Sequence, residues 1–196
     1  PVRFIGNYSS GKMGKAIANE LASRGAQVHL VLGPVNTDGI HKNVHLTCIE
    51  SSADMYEACS PIFSQCDAAI LSAAVADYAP AHTADQKIKK KGDTLSLELI
   101  KTKDVLYHLG EVKRANQILV GFALETQNEY DNAVIKLEKK NLDFIVLNSM
   151  NDKGAGFGKD TNKITILEKN GKTHNFDTKP KAEVAQDIVS LLSTYL

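Results

Sequence analysis

The chain has 196 residues and no formal net charge, with 23 Lys and Arg against 23 Asp and Glu. Its 43% hydrophobic and 23% charged residues match a globular domain long enough to bury one core, which excludes disordered, collagenous and disulfide-scaffold classes. The balance also excludes a broad basic surface for nucleic acid, though not a local cluster of cations.

No apolar run reaches the ~18–20 residues that span a bilayer. The opening Pro1-Val2-Arg3-Phe4-Ile5 lacks the apolar stretch of a signal peptide, so no membrane partner is expected. Cys48, Cys59 and Cys66 are odd in number and include no C-x-x-C pair; they read as reduced thiols of a cytoplasmic protein. The chain starts on Pro, not Met, as expected for part of a longer polypeptide or a trimmed one.

Two periodicities alternate along the chain. Met13, Ile17, Ala18 and Leu21 recur at helical spacing and Gly25 stops them. Residues 26–33 form a buried strand and 44–49 a second. Ser51 or Ser52 caps a helix running to about Phe63, and 68–73 is a third, nearly all-apolar strand. Residues 80–99 break the rhythm: a lysine run and Gly92-Asp93 precede the alternating Leu95, Leu97 and Leu99, which predict an exposed loop leading into a short strand or hairpin. A helix is expected over 104–114, a buried strand over 117–123, a helix over 129–140 and a strand over 144–147. A Gly- and Asn-rich loop then runs to Asp160. Residues 164–167 and 174–176 flank Asn170-Gly171, a two-residue hairpin signal, and Pro180 opens a last amphipathic helix. Strands apolar on both faces alternating with helices predict an α/β fold: a Rossmann-like, mostly parallel sheet with helices on both faces, plus a flap and a C-terminal hairpin.

The segment from Gly6 to Gly14 nearly matches two phosphate motifs. The P-loop pattern fits until Met13 replaces its final hydroxyl, and the dinucleotide pattern has Ser9 where its first Gly belongs. Both share one physical content: small residues let an anion approach free N–H groups at a helix start. A Ser-capped helix with glycines for close packing reads the same residues equally well.

Residues Arg3 to Gly14, Phe-Ile-Gly-Asn-Tyr-Ser-Ser-Gly-Lys-Met lying between them, resemble the signature of the phosphopantothenoylcysteine synthetase (phosphopantothenate–cysteine ligase) family. In many bacteria that domain is the C-terminal half of a bifunctional flavoprotein of coenzyme A biosynthesis. Ala73–Tyr78, Lys87–Lys90, Gly121–Thr126 and Lys140–Asp143 are similar to further family stretches, in the family's order. The resemblance implies a single ligase domain over 1–196. Its reaction has two steps. The carboxylate of 4′-phosphopantothenate attacks the α-phosphorus of CTP, brought with magnesium, and releases diphosphate. The cysteine amine then attacks the acyl-cytidylate and releases CMP. FMN would belong only to the decarboxylase domain of a bifunctional parent.

By resemblance, Asn7 is the catalytic asparagine that handles the acyl-nucleotide; an amide both donates and accepts without adding charge. Arg3 lies near the substrate, where a planar fork suits a carboxylate or phosphate. Lys87 is a catalytic lysine on the triphosphate, and Lys89 and Lys90, with Lys91, compensate substrate charge from a mobile flap. Taken as a run, these lysines equally fit a solvated loop. Ser10 and Gly11 at the helix start and Ser72, Ala73 and Ala74 at a strand end are implied nucleotide contacts, since ligands of open α/β sheets sit beyond carboxyl strand ends. Asp77 is implied to meet ribose, base or magnesium, though a loop Asp capping a turn reads the same. Phe122 is implied to contact the base, against plain core packing.

Lys136 and Lys140 share a helix face and are implied nucleotide ligands; solvated helix lysines read the same. Asp104 and Val105 open a helix that in the family lies against the nucleotide, although Lys103 stands where a proline is frequent. Family members also carry a strand and a Gly-Gly-Thr-type turn before Arg3. Their omission here implies a polypeptide less active than one that has them.

No protein metal site is expected apart from a role for Asp77. His29, His41, His45, His82, His108 and His174 show no metal spacing, and His41 and His45, four apart, lack a third ligand. The family is typically homodimeric, which implicates residues 80–99 or the C-terminal hairpin in an interface. Two other readings are an NAD(P)-dependent Rossmann-fold reductase, against which Ser9 and the lack of a suitable Tyr-x-x-x-Lys pair count, and a nucleotide-binding module without turnover.

Overall fold

A computed structural model describes residues 4–86, 88–89, 93–125, 127–149 and 159–196. Arg3, Lys87 and Lys90 lie outside the described residues, as do Lys91 and nearly all of the Gly/Asn-rich loop.

Helix α1 (Lys12–Ser23) buries Met13, Ile17, Ala18 and Ala22 along one stripe and ends before Gly25, whose φ of 90° only glycine adopts freely. Strands β1 (Val28–Leu32) and β2 (Val44–Cys48) pair in parallel. Helix α2 (Ser52–Phe63) starts in a capping box: Ser51 accepts from Asp54 N–H, and Asp54 accepts from Ser51 N–H. Ser51, not Ser52, is therefore the cap. Strand β3 (Ala68–Leu71) follows and stops two residues short of its predicted end.

The expected exposed loop leading into a short strand is present among the described residues of 80–99: residues 93–98 are irregular, with Leu95 and Leu97 exposed, and the strand begins only at Leu99. That strand, β5 (Leu99–Lys101), pairs antiparallel with β4 (Tyr78–Pro80). Helix α3 (Val105–Val112) is capped by Asp104, which accepts from Tyr107 N–H at 3.0 Å. Then come β6 (Ile118–Glu125), α4 (Glu129–Lys139), β7 (Phe144–Ser149), β8 (Thr161–Asn162), β9 (Ile164–Glu168), β10 (Thr173–Asn175), β11 (Lys179–Pro180) and α5 (Lys181–Leu192). The β9–β10 connection is not the expected two-residue turn. Gly171 N–H bonds Glu168 O, and Gly171 alone takes a positive φ, 87°, which is a type I turn closed by a left-handed glycine.

The main sheet has the order β10-β9-β7-β6-β3; β3, β6 and β7 run parallel, and β9 and β10 antiparallel. Alternate residues divide the core between its faces. Ile118, Val120, Phe144 and Val146 pack with α1 and α5, while Leu119, Ile145 and Leu147 pack with α2, α3 and α4. The mixed α/β sheet with both faces covered bears out the predicted class. Strands β1 and β2 form a separate sheet.

Candidate functional site

The carboxyl end of β3 meets the start of α1. Gly11, the N-cap of α1, has φ 67°, and a Cβ added there would lie 2.7 Å from Val35 Cγ2. Glycine is thus required by conformation and by space. A Cβ on Gly14 would lie 3.2 Å from Ser72 Oγ, and Asn7 Nδ2 donates to Ala74 O at 3.0 Å. Two segments far apart in sequence, Asn7–Gly14 and Ser72–Ala74, are thereby locked together beyond the sheet edge.

The N-terminus of α1 is suited to an anion. It has no side-chain cap and no acid in its first turn. Among the described helices only α1 lacks a carboxylate at both places: α2 has Asp54, α3 has Asp104, α4 has Glu129 and Asp131, and α5 has Glu183. The positive dipole end of α1 therefore faces the cavity with no carboxylate in its own first turn.

A second cluster stands on β6 and α4. Lys136 is one helical turn before Lys140, and its Nζ donates to Phe122 O at 2.7 Å. Burial pushes the Lys136 amine below the usual lysine range, helped by the charge of Lys140 and opposed by Glu125, Asp104 and Asp77. Lys140 Nζ lies 2.8 Å from Asp104 Oδ2. Burial alone would raise the Asp104 carboxyl, but the Lys140 hydrogen bond, the Tyr107 N–H and the charges of Lys140 and Lys136 outweigh it and hold it low. Asp77 sits at the head of β4. Its carbonyl accepts from Thr102 N–H at 2.9 Å, and Thr102 Oγ1 donates to Ala76 O, tying the loop after β3 to β5.

One cavity of about 3810 Å³ joins these parts; Asn7, Ser10, Gly11, Ser72, Ala74, Asp77, Lys89, Phe122 and Lys136 all line it, as does Ala73. Asp104 and Lys140 join it through Lys136. Val105 does not: its side chain is buried in the core with Leu106 and Leu109. The Phe122 side chain is half-buried against the core and also faces the cavity, so core packing and ligand contact are compatible there. One lining residue had escaped the sequence reading. Among the described residues Asn148 Oδ1 is buried without a hydrogen-bond partner, at the carboxyl end of β7 opposite Leu124. A polar residue ending the apolar run 144–147 was the available signal.

Residues 1–195 match the family model described as "DNA/pantothenate metabolism flavoprotein C-terminal domain". The chain belongs to this family. It is 50% identical over 194 residues to a protein of an unidentified prokaryote named cysteine/cysteine sulfinic acid decarboxylase, covering 99% of this chain and 54% of that one. It is 44% identical over 189 residues to the coenzyme A biosynthesis bifunctional protein CoaBC of Bacillus subtilis, covering 96% and 46%. The chain thus spans about half the length of the curated relatives it matches. The crystal structure of the C-terminal domain of a coenzyme A biosynthesis bifunctional protein CoaBC superposes with a TM-score of 0.83 at 36% identity, covering 99% of this chain and 87% of that one. The C-terminal domain of this flavoprotein family is therefore both the sequence match and the structural match. Among the described residues no group of three or more His, Cys, Asp and Glu is placed to hold a metal ion, and no helix is long and apolar enough to cross a membrane.

Proposed function

We propose that the chain is a phosphopantothenate–cysteine ligase domain: it forms an acyl-cytidylate from 4′-phosphopantothenate and CTP and passes the acyl group to cysteine. The observation that carries this reading is the convergence, on one sheet edge, of an acid-free helix N-terminus, the Asn7 amide and the Lys136–Lys140 pair. Phosphoryl oxygens gain charge as diphosphate leaves, and backbone N–H groups and cations aimed there lower the barrier. Asn7, fixed to Ala74 O by its amide nitrogen, is held where it can orient an acyl phosphate without adding charge.

Magnesium comes with CTP. Such ions favour one or two carboxylates plus phosphate oxygens, and Asp77, exposed on the cavity, is a fitting donor. Arg3, Lys87, Lys89 and Lys90 take the substrate phosphate and the triphosphate. FMN belongs to a decarboxylase domain and not to residues 1–196, which form one ligase domain without the family's first strand. The ligase is cytoplasmic and works as a homodimer. The exposed Tyr78, Leu97 and Ile100 favour the β4–β5 side over the C-terminal hairpin as its interface.

The test is turnover of CTP with 4′-phosphopantothenate and magnesium, followed by addition of cysteine. A nucleotide-binding module would bind CTP without turnover, and a reductase would bind NADPH tightly in a titration; either result would replace the ligase reading.

A further inference from the structure

Gly6 to Lys12 fits the P-loop pattern G-x-x-x-x-G-K through its lysine, the residue that in such a loop reaches the terminal phosphates of a nucleotide. Lys12 is the first residue of α1. Helical side chains lean back toward the N-terminus, here toward the rim of the cavity, which Lys12 lines together with Asn162 and Lys181. Lys181 is the first residue of α5, which starts directly after β11. The two helices run the same way. Their first residues meet at Asp160, and at the other end of α1 the Arg24 guanidinium donates to Gln186 O and Ser190 Oγ.

Asp160 sits between the two lysines. Its Oδ1 accepts from Lys12 Nζ at 2.5 Å, and its carbonyl accepts from Lys181 N–H at 2.9 Å. Lys181 Nζ donates to Lys159 O and, at 3.5 Å, to Thr161 O, the carbonyls on either side. Those carbonyls are neutral and leave its charge uncompensated. The Lys12 hydrogen bond and charge hold the Asp160 carboxyl below the usual range, and the charge of Lys181 adds to them. Burial pushes the Lys181 amine down, the charge of Lys12 adds to this, and Asp160 opposes it. Two amines and the first residues of two helices thus gather round one carboxylate, on the edge of the cavity. That carboxylate is weakly held. The Asp160 side chain is 87% exposed and that of Lys12 41%, and water screens a pair so open.

We propose that Lys12 and Lys181 seat a diphosphate group, the phosphate tail of a nucleotide, and that Asp160 is an internal anion which the tail displaces. Diphosphate brings more charge than one carboxylate and can engage both amines, so the exchange favours it. Asp160 then turns to the water that already surrounds it. A ligand with a single charge gains little over Asp160, so the pair also selects for a polyphosphate. The seat is separate from the Lys136–Lys140 cluster, which stands on β6 and α4. The identity of the tail rests on the ligase reading, which brings a nucleoside triphosphate to this cavity; the seat itself does not.

The experiment is calorimetric titration of the chain with inorganic diphosphate and, separately, with CMP, each beside a thermal melt. The unsubstituted chain should bind diphosphate. Lys12→Met removes one charge-assisted hydrogen bond to phosphate and should weaken diphosphate at least about tenfold. Asp160→Asn keeps the carbonyl that Lys181 N–H uses, and should tighten diphosphate roughly two- to fivefold. In the Lys12→Met background the same change should gain little, because the gain comes from releasing Lys12 and not from removing a distant charge. CMP affinity should stay within about twofold throughout, since CMP carries no tail. Should Lys12→Met fail to fold, Lys181→Gln takes its place with the same expected outcomes. The proposal is overturned if the unsubstituted chain binds no diphosphate or if Lys12→Met leaves its affinity unchanged. It is overturned equally if Asp160→Asn fails to tighten diphosphate, as it would were Asp160 only a pin between β8 and α1, if the tightening persists in full without Lys12, or if CMP moves in step. None of these readouts uses turnover, so the seat and the ligase reading fail separately.

Discussion

Lys136→Met tests the cation cluster most sharply. Methionine keeps the apolar stem and removes the amine that donates to Phe122 O at 2.7 Å. Because the amine is half-buried and its charge is already disfavoured by burial and by Lys140, removing it should leave folding stability unchanged or slightly higher. Nucleotide binding should respond in the opposite sense. A charge-assisted hydrogen bond to a phosphate is worth about 1.5–3 kcal/mol, or roughly 10- to 150-fold in affinity. The assay is calorimetric titration with CTP and magnesium beside a thermal melt. A melting temperature at or above wild type with CTP affinity reduced in that range supports the assignment. Unchanged affinity in a folded variant would refute the reasoning, because this half-buried lysine lining the cavity would then have no ligand.

Asn7→Asp should leave CTP affinity within a few-fold and impair use of the intermediate; unchanged turnover removes Asn7 from that role. Asp104→Ala deletes the cap of α3 and the partner of Lys140, and should cost about 0.5–2 kcal/mol in denaturant unfolding. Gly11→Ala forces a left-handed conformation on alanine and a contact with Val35, at a cost of order 1–3 kcal/mol, and should weaken CTP binding as well. Glu168 gives a pH test. Burial pushes its carboxyl up, but His174 Nε2 at 2.7 Å and the Tyr195 hydroxyl outweigh that and hold it below its usual value. As pH falls, the unfolded chain takes up this proton first. The contribution is therefore present above about pH 4 and lost as pH drops through the folded value. Glu168→Gln should flatten that acidic limb of the stability curve; an unaltered limb contradicts the assignment.

Helical spacing and apolar strand runs announced the larger elements, because each buries a face that needs a fixed period. The small ones were not legible. Strand β4 is only Tyr78-Ala79-Pro80, too short to show a period, and Leu95 and Leu97 alternate without being buried. The Asn170-Gly171 signal located a turn but not its type, which Gly171 sets alone. At the site, the Asn7 and Ala73–Ala74 motifs pointed to a strand edge, and the fold joins them by one hydrogen bond. The burial of Val105 and the reach of Lys136 to the Phe122 carbonyl depend on how α3 and α4 pack on β6, which no local spacing encodes. Asn148 escaped because an amide ending an apolar strand looks like an ordinary strand end until its buried oxygen is seen.

Diphosphate release is the most direct measurement of the ligase account. With CTP, magnesium and 4′-phosphopantothenate, the chain should release diphosphate up to about one equivalent per site, and cysteine should then convert this into continuous turnover with matching CMP. Release that ignores 4′-phosphopantothenate, or no release above the enzyme-free rate while CTP is bound, would contradict it.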